Sequence, residues 1–196
     1  MLQNILKDYK VILASRSPRR QQLLRELKID FKICADHEVD EIYPTGLAKE
    51  EIPVFLAERK AESVMPVIPE KTILITADTI VWLNGKVIHK PGNQNEARNM
   101  LYELSGSMHE VITGVCISLP GSRHSFYCST LVWLTDLSDE EINEYVRKYR
   151  PYDKAGAYGI QEWIGYIGIE RIEGSYFNVV GLPVQKLYKE LKRILL

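Results

Sequence analysis

Cysteine is scarce in this sequence. Cys34, Cys116 and Cys128 stand far apart among 196 residues. An odd number with no C-x-x-C spacing indicates neither a disulfide framework nor a cysteine-rich metal site. Excess charge of one sign is missing as well: 25 Lys and Arg against 26 Asp and Glu give a formal net charge of −1. That removes the global signature of a nucleic-acid or membrane-surface binder. No apolar run approaches the length of a membrane span, and Met1 to Lys10 lacks the apolar core of a signal peptide. The expectation is therefore no nucleic-acid partner, no membrane and a cytoplasmic location. The four histidines, His37, His89, His109 and His124, have no zinc-ligand spacing. There is no G-x-S-x-G elbow, and the aromatics are scattered rather than interleaved with basic residues. Repeats, low-complexity tracts and long linkers are absent, so 1–196 is expected to be one domain.

What is present is an alternation of β-branched apolar runs with helical patterns. Strands are expected at 10–14, 30–34, 72–77, 79–88 around a turn at Asn84-Gly85, 110–118 and 126–135. Helices are expected at 18–28, 53–65, 94–104, 138–148 and 183–195. Their start signals are Ser17-Pro18, Pro53, Pro183 and the capping-box spacings Asn93-x-x-Glu96 and Ser138-x-x-Glu141. The alternation predicts an α/β fold, and the hairpin makes its sheet mixed. In such sheets ligands tend to bind beyond the carboxyl ends of strands. That points to Ser15–Arg20 after the first strand and to Asp78-Thr79 after 72–77.

Residues 13–20 read Leu-Ala-Ser-Arg-Ser-Pro-Arg-Arg, a strand, a tight turn and a capped helix start. A helix N-terminus favours anions through its free N–H groups and its dipole. Arg16, Arg19 and Arg20 beside Ser15 and Ser17 would suit several phosphates; the alternative is a capped helix with solvated arginines. Asp78 places one carboxylate in an apolar run, so it needs a partner. It is either a turn cap or a general base or metal ligand at a strand end. Glu38, Asp40 and Glu41 form an acidic loop, and a pair such as Glu41 and Asp78 would suit magnesium bridging to substrate phosphate. Lys60 falls within the apolar stripe of Leu56, Ala57, Ala61 and Val64. It either snorkels to water or meets an anion. Lys90-Pro91-Gly92 offers a further cation on a rigid loop. Asp153–Gln161 and Gly174–Pro183 are rich in small residues, which lets backbone approach a ligand closely or simply turn. Asp153–Gln161 matches neither the G-x-G-x-x-G nor the G-K-[ST] fingerprint.

Taken in order, Ser15-Arg16-Ser17-Pro18-Arg19-Arg20, Lys60-Ala61, Ala77-Asp78-Thr79, Lys90-Pro91, Leu104-Ser105-Gly106 with His109 and Thr113, Asp153–Gln161 and Gly181-Leu182-Pro183 resemble the Maf family of nucleoside triphosphate pyrophosphatases. The resemblance runs from about residue 10 to the last helix. It implies a mixed twisted sheet with flanking helices and two lobes around a cleft, similar to inosine triphosphate pyrophosphatases. It also implies hydrolysis of a nucleoside triphosphate to monophosphate and pyrophosphate with a divalent metal, Mg or Mn, and a homodimer. Asp78 then falls at the catalytic acid/base position. The residue chemistry adds a mechanism: Glu41 and Asp78 would hold the metal, and Ser15, Arg16, Ser17, Arg20, Lys60 and Lys90 would bind the phosphates. Arg19, Thr79 and Gln161 fall where substrate choice is made, and they resemble the branch acting on dTTP and UTP. The sister branch, favouring 7-methyl-GTP, usually carries an aromatic residue for that arginine and an acid for the glutamine. His89 departs from the glycine common before the Lys-Pro pair, which affects only the local loop.

The chemistry of the base edge bears on specificity as well. Uracil and thymine show acceptor, donor and acceptor along one edge, and a glutamine amide can match O4 and N3–H together. Modified pyrimidine nucleotides would present the same edge. The competing expectations are a non-enzymatic, nucleotide-binding regulator of septum formation and a purine-directed house-cleaning pyrophosphatase. Asp78 with Lys60 and Lys90 argues against the first, and Gln161 against the second.

Overall fold

In a computed structural model of the chain, the structure describes residues 2–34, 39–65 and 71–196. The elements run α1 (Leu2–Leu6), β1 (Lys10–Leu13), α2 (Pro18–Glu26), β2 (Lys32–Ile33), α3 (Glu51–Val64), β3 (Thr72–Leu83), β4 (Lys86–Ile88), α4 (Gln94–Leu104), β5 (Met108–Leu119), β6 (Ser122–Leu134), α5 (Asp139–Tyr149), a 3-10 turn at Ala155–Ala157, α6 (Trp163–Gly168), β7 (Ile169–Glu173), α7 (Tyr176–Val180) and α8 (Val184–Leu195). The fold is α/β, with a seven-stranded mixed sheet of order β2-β1-β3-β5-β6-β7 and β4 paired to β3. β1 lies parallel to both β2 and β3, with Leu13 opposite Ile75. Ile73, Leu74 and Ile75 are fully buried, as expected of a strand covered on both faces.

Local signals account for most element boundaries. Ser17 caps α2 with Pro18 in its first turn, and Ser138 and Glu141 form the reciprocal capping box of α5. At α4, Asn93 accepts from the Glu96 amide as expected, but the Glu96 carboxylate goes to the Gly92 amide. Asn84 and Gly85 turn the hairpin with φ of 48° and 82°, the left-handed pair a type I′ turn needs.

Three expectations are corrected. Residues 72–77 and 79–83 are one strand running through Asp78, because its carboxylate has a cationic partner and Ile80, Val81 and Trp82 continue the pattern. Asp78 is therefore neither a turn cap nor at a strand end. The strand expected at 30–34 shortens to Lys32–Ile33. Pro183 precedes α8 as its cap, with ψ of 73°.

The chain divides into two compact units that interleave in sequence. One comprises 1–78, 113–128 and 181–196; the other comprises 79–112 and 129–180. β3, β5 and β6 each contribute residues to both. In the first unit Ala57, Ala61 and Val64 of α3 pack on Leu74 and Cys116. In the second, Leu101, Leu104, Ile142 and Tyr145 are fully buried. Among the described residues no helix is long and apolar enough to cross a membrane.

Candidate active site

The turn after β1 is built by its own side chains. The Ala14 amide donates to the Ile75 carbonyl, so the chain leaves β1 alongside β3. Ser15 Oγ accepts the Ser17 amide at 3.2 Å, and Gln21 Nε2 donates to the Ser15 carbonyl at 3.1 Å. Ser17 Oγ accepts the Arg20 amide at 3.4 Å. Both hydroxyls keep a proton to donate to an anion. Arg16 is exposed, while Arg19 and Arg20 are half-buried. Arg20 Nε donates to the Gly181 carbonyl at 2.8 Å. Burial lowers the Arg20 pKa, and the charges of Asp78 and Glu41 pull it back up. The guanidinium therefore feels both carboxylates.

Asp78 is placed by two periodicities acting together. On β3, Thr76 and Asp78 share a face; on α3, Ala57 and Lys60 share a face. Thr76 Oγ1 donates to the Ala57 carbonyl at 2.6 Å, and one step along both elements Lys60 Nζ donates to Asp78 Oδ1. Asp78 is only 3% exposed, so Lys60 supplies the partner that a buried carboxylate requires. Lys60 thus meets an anion rather than snorkelling. The helix can come this close because β5 carries Gly114: a Cβ there would lie 2.2 Å from the Pro53 carbonyl carbon.

Glu41 joins from the acidic loop. Its Oε1 is 3.7 Å from Lys60 Nζ, and Arg59 Nη1 holds the next residue by donating to the Ile42 carbonyl at 3.2 Å. Glu38 and His37 lie outside the described residues. Among the described residues no three His, Cys, Asp or Glu side chains converge as a metal site. Glu41 and Asp78, however, both reach the single nitrogen of Lys60. Two carboxylates around a common point are a donor set suited to a hard divalent cation that takes its other ligands from water and phosphate.

The first unit therefore gathers Ser15, Ser17, Arg20, Glu41, Lys60 and Asp78. Thr79, Lys90 and Gln161 belong to the second. Thr79 follows Asp78 on β3 and points to the opposite face. Lys90 is exposed beyond β4, and Gln161 is exposed directly after five consecutive buried residues, 156–160. The glycines of that stretch admit protein atoms. A Cβ on Gly156 would sit 3.1 Å from Val81 and 3.2 Å from Leu104, and one on Gly159 would sit 2.7 Å from the Glu162 carboxyl carbon. Sequence reasoning missed Arg59 and the Gly181 carbonyl, since backbone acceptors leave no residue-type signal.

A sequence model of Maf-like proteins matches residues 10–194. The chain belongs to the Maf family. Curated relatives cover nearly the whole chain. A dTTP/UTP pyrophosphatase of Phocaeicola vulgatus is 53% identical over 99% of this chain and 100% of its own. Proteins of the same name from Parabacteroides distasonis and Bacteroides thetaiotaomicron are 54% identical over 98% and 99%, and 50% identical over 99% and 100%, of the two chains. Among solved structures, a nucleoside-triphosphatase / dITP/XTP pyrophosphatase from Mycobacterium abscessus matches 94% of this chain and 96% of its own, at 14% identity and a TM-score of 0.40. That likeness is slight.

Proposed function

We propose that this Maf chain, acting as one domain, is a nucleoside triphosphate pyrophosphatase that hydrolyses dTTP and UTP, and pyrimidine nucleotides with the same base edge, to the monophosphate and pyrophosphate. The observation that carries the reading is the buried Asp78 carboxylate, paired to Lys60 and neighboured by Glu41 and Arg20. The curated relatives named dTTP/UTP pyrophosphatase support the substrate.

Water attacks the α-phosphorus in line. Asp78 accepts the proton that the water loses, the bond from the α-phosphorus to the bridging oxygen breaks, and pyrophosphate leaves with the negative charge. Lys60 orients the Asp78 carboxylate and, with Arg16, Arg20 and Lys90, offsets charge growing on the bridging and leaving oxygens. The hydroxyls of Ser15 and Ser17 donate to phosphate oxygens at the start of α2. Glu41 and Asp78 would hold Mg²⁺ or Mn²⁺, which supplies charge neutralisation and orientation of the phosphates when bound. Arg19, Thr79 and Gln161 select the base, with the Gln161 amide matched to O4 and N3–H.

The test is pyrophosphate release from dTTP, UTP, CTP, 7-methyl-GTP and ITP with Mg²⁺ or Mn²⁺. Turnover should be highest with dTTP and UTP. Asp78→Asn, which keeps an oxygen for Lys60, should lose at least a hundredfold in kcat while its circular dichroism stays native. Silence across the panel would overturn the enzyme reading, and activity confined to ITP would overturn the pyrimidine reading.

A further inference from the structure

The segment 153–162 ends in a turn whose corner carries Gln161. The Glu162 amide donates to the Gly159 carbonyl at 2.9 Å, closing a four-residue turn with Gln161 at its third position. One hydroxyl staples both ends of that turn. Tyr145, fully buried on α5, accepts the Gly159 amide at 3.0 Å and donates to Glu162 Oε2. The other Glu162 oxygen, Oε1, lies 3.0 Å from Lys154 Nζ, and Lys154 is itself 8% exposed. Gly159 is required because Glu162 folds back over it.

A glutamine amide is a poor discriminator by itself. Turned over, it offers cytosine the pairing opposite to the one it offers uracil. Discrimination therefore depends on how firmly the backbone behind the amide is held, so that only one orientation reaches the base with good geometry. A buried tyrosine, a carboxylate and a buried lysine all converge on one turn whose single exposed residue is Gln161. They make sense as support for a side chain whose position matters.

We propose that Tyr145, with Glu162 and Lys154, is a positioning residue for pyrimidine choice, clamping the Gly159–Glu162 turn so that Gln161 separates uracil from cytosine nucleotides. The inference rests on the reading of Gln161 as the base reader. Steady-state kinetics with UTP and CTP on Tyr145→Phe, Glu162→Gln and Gln161→Ala test it. Tyr145→Phe removes both staples and keeps the ring. Its KM for UTP should rise about tenfold with kcat within threefold, and its UTP over CTP ratio of kcat/KM should fall at least tenfold. Glu162→Gln keeps the size and should move the ratio the same way, which preserves the test if the tyrosine variant does not fold. A merely structural role would lower the melting temperature and scale both substrates alike, leaving the ratio unchanged. If Gln161→Ala shifts the ratio and neither other variant does, the clamp is refuted and the base reader stands. If Gln161→Ala leaves the ratio unmoved, the base-reader reading itself fails, and the clamp with it.

Discussion

Arg20 connects the capped turn to the C-terminal part of the first unit through one guanidinium. Its Nε is committed to the Gly181 carbonyl, and Asp78 and Glu41 act on the same group electrostatically. Gly181 holds φ of 122°, a backbone state that side chains with a Cβ rarely adopt, so its carbonyl direction is a property of glycine. Arg20→Lys keeps the charge and loses the planar donor; at about 2 kcal/mol for a charged hydrogen bond, kcat/KM for UTP should fall about thirtyfold. Gly181→Ala should cost a similar factor by moving the acceptor. If the two act as a unit, the double variant will be little worse than either single one. Losses that multiply would show that Gly181 does not act through Arg20.

At the scale of elements, the site depends on α3 lying unusually close to the sheet. The Cβ of an alanine at 114 would meet the Pro53 carbonyl carbon and oxygen and the Val54 nitrogen at 2.2–2.3 Å. All three are backbone atoms, so the helix itself must move. Gly114→Ala should therefore destabilise the protein by about 1–3 kcal/mol, as overpacking does. It should also reduce kcat well below the melting transition, because α3 carries Lys60 to Asp78. Unfolding curves and kinetics on the same preparation check this; unchanged turnover in the folded variant would show that the helix position is not limiting. Elements with local signals were legible in the sequence: the Ser17-Pro18 start, the Ser138–Glu141 box and the Asn84-Gly85 turn are written in adjacent residues. Short elements decided by distant partners were not. β7 reads Ile-Glu-Arg-Ile-Glu, without a period of two, and becomes a strand by pairing with β6. α6 contains two glycines that argue against a helix, yet Gly165 is needed because the Ile160 carbonyl would lie 1.9 Å from a Cβ. For the site, residue types were legible and their pairing was not. Its place on the apolar stripe suits Lys60 to solvent or to an anion, and the register of α3 on β3 brings it to Asp78.

For the molecule as a whole, the chain passes between its two units at 78–79, 112–113, 128–129 and 180–181, so neither is a contiguous piece of sequence. The family motifs are divided accordingly, with Ser15–Arg20, Lys60 and Asp78 in one unit and Thr79, Lys90 and Gln161 in the other. Global stability then carries the imprint of a motif residue the proposed chemistry does not use. His109 is 1% exposed and its Nε2 shares a 2.7 Å hydrogen bond with the Tyr158 hydroxyl. Its Nδ1 is buried with no hydrogen-bonding partner among the described residues, so the second N–H of an imidazolium would go unsatisfied. Burial accordingly lowers its pKa from 6.5 to about 4. Above pH 6.5 the ring is neutral in both folded and unfolded chains and contributes no pH dependence. Between pH 6.5 and about 4 the unfolded chain takes up a proton that the folded one refuses, so stability falls as pH falls. Over that window the loss from this group is about 3 kcal/mol, and most of it, about 2 kcal/mol, is present by pH 4.5. His109→Gln can keep a bond to Tyr158 and does not titrate. Urea unfolding at pH 7 and pH 4.5 should show the wild type losing about 2 kcal/mol more than this variant over the interval. Equal losses in the two proteins would mean that His109 is protonated, or already hydrated, in the folded state.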